Sequence, residues 1–294
     1  MKTKILLFLF CLSVMGAMGQ NVIKRNKCSS CGKVIAQCPY RGKHPTPKPK
    51  PKPQPKPRTV SASYQNGVLR VGNASYRMIN VYGGTFKMGA TSEMTNPDDD
   101  EKPAHQVTLS SYYIGETEVT QALWKAVMGH NPSHFKGDNL PVENVSWDCC
   151  QEFIRKLNAA TGRRFRLPTE AEWEFAARGG NQSHHTQYSG SSNIEDVAWY
   201  DGNGGDSIHP VKTKHPNELG LFDMSGNVYE WCQDWYGSYT SYSQTNPTGP
   251  NSGSFRVLRG GSWYSNARYC RSSNRYNASG YRDIYLGFRL ALSE

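Results

Sequence analysis

Apolar and polar positions alternate over short runs in the first third of residues 60–294, and turn pairs cut the runs apart. Val68–Val71, 76–81 and 85–88 read as short strands broken by Asn66-Gly67, Gly72-Asn73 and Gly83-Gly84, and 106–120 alternates in the same way. The period then changes to that of helices. Thr120 is placed to cap a helix with Leu123, Trp124 and Val127 on one stripe and Gly129 at its stop. Ser146 begins a longer one carrying Trp147, Cys150, Ile154 and Leu157, with Gly162 just past its end. Thr169 followed by Glu172 is a capping-box signature for a third helix, closed by Gly179 and entered from a strand at 166–168. Beyond residue 180 periodicity is lost until 257–263 and 285–292. This pattern predicts an α+β domain with little regular structure.

The first 58 residues follow other rules. Residues 1–19 place Lys2 and Lys4 before an apolar run that ends in Ala17-Met18-Gly19, the pattern of a secretory signal peptide too short to span a bilayer. The expectation is an exported protein, periplasmic, at the cell surface or secreted, and not membrane-spanning. Its mature chain would begin near Gln20 in an oxidising compartment. Residues 20–44 hold Cys28 and Cys31 in a CxxC, with Cys38 and His44 downstream. The set matches a zinc knuckle, and it also matches a disulfide with one thiol left over. Residues 45–58 alternate proline with lysine, so a polyproline II spacer of roughly 43 Å is predicted at about 3.1 Å per residue.

The net charge of +10 raises the question of a nucleic-acid partner. Residues 1–58 carry thirteen of the 34 Lys and Arg and no acid, leaving 21 basic against 24 acidic residues in the remainder. The basicity belongs to the tail, and nothing resembles a nucleic-acid footprint. Seven tryptophans, with 28 glycines and 17 prolines, point to a core built on aromatics and loops.

Chemistry concentrates in residues 220–235, GLFDMSGNVYEWCQDW. Asp223 and Glu230 lie on a glycine-rich loop among large aromatics, an arrangement that can present oxygens to calcium. The same residues would also serve as a turn cap and the partner of an arginine. Asp98, Asp99, Asp100 and Glu101 read as a solvated loop, and Pro132 between His130 and His134 places that pair on a loop as well. There is no G-x-S-x-G, no H-E-x-x-H and no phosphate-cradling glycine loop.

The motifs GGTFKMG, HQVTLSSYYIGETEVT, NLPVENVSW, RFRLPTEAEWEFAARGG, PNELGLFDMSGNVYEW, RVLRGGSW and LGFRLAL, taken together, resemble the formylglycine-generating enzyme (sulfatase-modifying factor) family. The resemblance implies a C-type-lectin-like fold over 60–294. It also implies oxidation of a sulfatase cysteine to formylglycine, with O2 and copper held by two thiolates. Cys270 falls on the second of those cysteines, but Ser265 stands at the first. Cu(I) selects thiolates, and a serine hydroxyl does not replace one. Ser262 and Tyr269 match the family's catalytic surroundings, whereas Asn266 replaces its peptide-contacting histidine and Tyr229 its active-site tryptophan. The family's second calcium site maps onto Asp223, the carbonyls of Gly226 and Val228, and Glu230. Its disulfide cysteines map onto Phe153, Ala177, Arg275 and Leu290. Cys149, Cys150 and Cys232 have no assigned partner, and Cys232 is a candidate to approach Cys270 as a second sulfur or a disulfide partner. The expectation is a calcium-ordered, non-catalytic domain for a protein, peptide or cell-envelope partner, with an active oxidase as the alternative.

Overall fold

The computed structural model describes residues 61–293. The signal peptide, the Cys28, Cys31, Cys38 and His44 set and the proline-lysine spacer lie outside them. In chain order the strands are β1 Ala62–Gln65, β2 Val68–Val71, β3 Ala74–Val81, β4 Gly84–Met88, β5 His105–Leu109, β6 Tyr112–Gly115, β7 Phe165–Arg166 and β8 Ala198–Trp199. They continue as β9 Ser225–Gly226, β10 Tyr229–Trp235, β11 Gln244–Thr245, β12 Arg256–Arg259, β13 Tyr276–Ala278, β14 Leu286–Gly287 and β15 Ala291–Ser293. The helices are α1 Gln121–Met128, α2 Trp147–Thr161, α3 Glu170–Ala177 and the short α4 Ile194–Val197.

The strand pairings close the chain on itself. A six-stranded sheet runs β1-β2-β3-β6-β15-β7, so the last strand is inserted between early ones. Alternation in β2 and β3 turns Leu69, Val71, Tyr76 and Met78 inward, where α1 and α2 cover them with Leu123, Trp124, Phe153 and Leu157. Trp124 stacks on Phe153 at 5.2 Å, and Phe288 meets both edge-on. Around a second core, α3 buries all eight of its residues among β4, β5, β10 and β12. Trp173, Phe175, Val107, Leu221 and Val257 fill it.

The helix punctuation stands where the sequence places it. Thr120 accepts the Leu123 N–H, Ser146 accepts the Cys149 N–H, and Gly129 and Gly162 end their helices in the left-handed region. Thr169 and Glu172 form the full capping box. The strands are shorter than their apolar runs. The stretch 257–263 stops pairing at Arg259, because Gly260 and Gly261 adopt φ of 97° and 76°. The stretch 106–120 ends as strand at Gly115, and 285–292 divides into β14 and the start of β15.

One expectation holds for Asp99, which is exposed, and fails for Glu101. The run is not an irregular solvated loop throughout: Asp99–Glu101 forms a 3-10 turn, and Glu101 is fully buried, accepting from Arg271 and from Ser273. A buried carboxylate is tolerated only when charge and hydrogen bonds meet it, and residues 170 positions further along the chain supply both. Among the described residues no helix is long and apolar enough to cross a membrane.

Candidate functional site

The loop after β12 carries the residues singled out by the sequence. Gly261 lets the chain fold tightly over Cys270, since a Cβ there would lie 2.6 Å from the Cys270 Sγ. Cys270 ends a 3-10 turn, Ala267–Cys270, capped by the exposed Asn266. Its thiol is fully buried, packed with Tyr188 and Val197. Burial, followed by the Asp201 carboxylate, pushes its pKa up to about 12, so it stays a protonated thiol at neutral pH. Ser265 stands on the other limb of the loop. Its Oγ accepts the Ser262 N–H and lies 3.0 Å from the Ser262 Oγ. The structure thus joins Ser262 and Ser265 through their hydroxyls, with Cys270 below the surface and a half-buried Tyr269 beside it. One protonated sulfur and two hydroxyls do not fit Cu(I).

Cys232 does not rescue the pair. It packs beside Trp173 and Val257 in the core around α3, whereas Cys270 belongs to the small cluster with Tyr188. Cys149, Cys150, Cys232 and Cys270 are all free. The positions aligned with family disulfides are filled by other means. Phe153, Ala177 and Leu290 are buried apolar residues, and Arg275 pairs with Glu170 through two hydrogen bonds at 2.6 and 2.8 Å.

The carboxylates of residues 220–235 are both buried. Asp223 sits at φ 58°, and its Oδ2 accepts the Lys212 N–H. Glu230 accepts from the Arg289 Nε and Nη2 at 2.6 Å each and from the Trp173 indole at 2.7 Å. The arginine partnership weighed from sequence is therefore real. Sequence reasoning missed Glu118, a third carboxylate in the same place, which accepts from Asn227. Burial, followed by Asp223 and Glu230, raises the Glu118 pKa well above the ordinary carboxylate range. Burial likewise lifts Asp223 to about 6. Three buried carboxylates share the single guanidinium of Arg289, and Lys212 is engaged with Glu116.

Above Ser265 the surface is aromatic. Tyr264, Tyr276 and Tyr281 are exposed. Tyr276 stacks on Tyr229 at 5.3 Å, Tyr285 meets Tyr229 edge-on at 6.4 Å, and the Tyr281 and Tyr285 hydroxyls are 3.3 Å apart. Rigid, amphipathic tyrosines suit protein or peptide recognition.

Comparison with known proteins agrees with this architecture. A family model described as "Sulfatase-modifying factor enzyme 1-like domain" matches residues 70–294. A protein named chaperone protein LppX from Paenibacillus barcinonensis is 33% identical over 255 residues, spanning 69% of this chain and 85% of the relative. A formylglycine-generating enzyme from Streptomyces coelicolor is 32% identical over 282 residues, covering 71% and 87%. The solved structure of Treponema denticola variable protein 1 superposes with a TM-score of 0.70 at 37% identity, covering 77% of this chain and 98% of that one.

Proposed function

The chain belongs to the sulfatase-modifying-factor family, and from that premise we propose that it is an exported, non-catalytic member that binds a protein or peptide partner through the surface around Ser265. The observation that carries this reading is Ser265 itself, locked to Ser262 where the family places a metal-binding thiolate. The exposed tyrosines supply what a binding surface needs, large area at low conformational cost. Export rests on residues 1–19, with cleavage near Gln20, and cell-envelope components are the partners it would meet. Anaerobic Cu(I) titration against a competing chelator, run beside an assay on a CxPxR-type peptide, tests the proposal. The expected result is no tight copper binding and no formylglycine product. Copper bound through Cys270 together with peptide conversion would establish the oxidase instead.

Calcium would have to draw the protons from Glu118 and Asp223, whose carboxyls burial holds toward the neutral form, and to pull the cluster together, for among the described residues no three His, Cys, Asp or Glu already stand in metal-holding geometry. Asp223, Glu118 and the carbonyls of Gly226 and Val228 would hold it. Glu230, already taken by Arg289, would contribute only by sharing an oxygen. When bound, the ion supplies rigidity to residues 220–230 and no reaction step. Calcium at about a hundred times its dissociation constant should stabilise the domain by about 2.7 kcal/mol. Thermal unfolding in calcium and in EDTA checks this, and identical melting curves would reject the site. The Cys28, Cys31, Cys38 and His44 set would add a zinc knuckle or a disulfide ahead of the spacer.

A further inference from the structure

A second cavity lies apart from the Ser265 surface. It has a volume of ≈ 510 Å³, opens to solvent, and is lined by the start of α3, the end of β10 and the loop 237–250. At its wall is Asp234, only 4% exposed. Its Oδ2 accepts the Glu170 N–H at 3.0 Å, and no hydrogen bond reaches its Oδ1. Gly249, at φ 70°, lets the loop lie directly on this carboxyl, since a Cβ there would be 2.9 Å from the Asp234 Cβ.

Arg275 and Arg256 act on Asp234 through space, but no cation hydrogen-bonds to it. Arg275 is bound by Glu170, Arg259 by Glu174, and Arg166 by Glu172. Arg256 is stacked between Trp147 and Trp235 at 3.8 and 3.3 Å and donates to the Gln233 carbonyl. Tyr239 bonds to Glu170, and His105 faces Tyr239 with its Nδ1 3.2 Å from the Pro103 carbonyl. The rest of the wall offers the hydroxyls of Ser238, Thr240, Thr245 and Thr248.

We propose that this cavity binds a primary ammonium group, with Asp234 as the anchoring carboxylate and the wall hydroxyls as its other acceptors. An ammonium has three donors that rotate freely, which suits one carboxylate oxygen among scattered hydroxyls. A guanidinium fork is met best by two free carboxylate oxygens, and the Glu170 N–H already occupies one of them. A metal ion has too few ligands here, for the wall carries two carboxylates and Arg275 holds Glu170 through both oxygens. Burial, followed by Glu170, lifts Asp234 to about 8, so below that pH binding releases the Asp234 proton to solvent. Affinity therefore climbs by about tenfold between pH 6 and 7, about fivefold more to pH 8, and then levels off.

The test is an NMR titration of the intact protein with n-butylammonium and, separately, the neutral n-butanol, at pH 6 to 9. Saturable shifts in loop 237–250 with butylammonium alone, strengthening with pH, are expected, and Asp234→Asn should weaken binding at least tenfold. Calorimetry of the unaltered protein in buffers of different ionisation enthalpy reads the released proton without any variant. Equal binding of butanol, pH-independent affinity, undiminished binding to folded Asp234→Asn, or no saturable shift would each overturn the assignment.

Discussion

Replacing Arg289 by methionine is expected to lower the unfolding free energy by about 3–5 kcal/mol, the usual consequence of stranding one half of a buried ion pair. Arg289 is fully buried. Besides its bonds to Glu230, it donates to the carbonyls of Gly115 and Phe222 at 2.9 and 3.0 Å, tying β6, the 220–230 loop and β10 together. Without it, Glu230 would share a low-dielectric site with Glu118 and Asp223 and no guanidinium. The remaining carboxylates would then be driven further toward their protonated forms. Denaturant unfolding followed by tryptophan fluorescence measures the loss as a lower midpoint at unchanged slope. Adding Glu230→Gln to Arg289→Met should recover part of it, since the stranded charge is then gone. Breaking the exposed Arg155 to Glu152 pair is the control, expected to cost no more than about 1 kcal/mol. A loss below that level for Arg289→Met would mean that the buried pair does not organise the fold.

The second large effect concerns copper. Ser265→Cys returns the missing sulfur to the family position, and Cu(I) affinity should rise by at least about a thousandfold, or about 4 kcal/mol. Gly261 brings the chain against the Cys270 Sγ, and Ser265 occupies its place through hydrogen bonds that a thiol makes only weakly. Cys270 must lose its proton to bind, so the gain should grow with pH as its thiol, now held near about 12, is drawn into a thiolate. Adding Cys270→Ser to Ser265→Cys should abolish the gain. Chelator-competition titration reads each step. If Ser265→Cys binds copper no better than the parent protein, the missing sulfur is not what separates this chain from its catalytic relatives.

The sequence and the structure diverge chiefly over charge. From sequence, the ordering of the irregular second half falls to calcium and aromatics. In the structure, buried ion pairs tie it together as well: Arg259 with Glu174, Arg271 with Glu101, Arg275 with Glu170 and Arg289 with Glu230. The sequence held a hint, in arginines set among apolar residues at 257–259 and 286–292 and three glutamates within the buried helix α3. Periodicity ranks positions by hydrophobicity and treats charge as exposed, so it misses a charge that is buried because it is matched.

Local chemistry determined what could be read directly. Caps at Thr120, Ser146 and Thr169 and the left-handed glycines act over three or four residues, and the family motifs fixed the identity of the loop around Ser265 and Cys270. Tertiary structure alone decided the rest: that Cys232 lies apart from Cys270, that Glu118 joins Asp223 and Glu230, and that Asp234 faces a cavity. Each of these depends on groups brought together from distant parts of the chain. Burial then sets their charge, a property no single stretch of sequence carries.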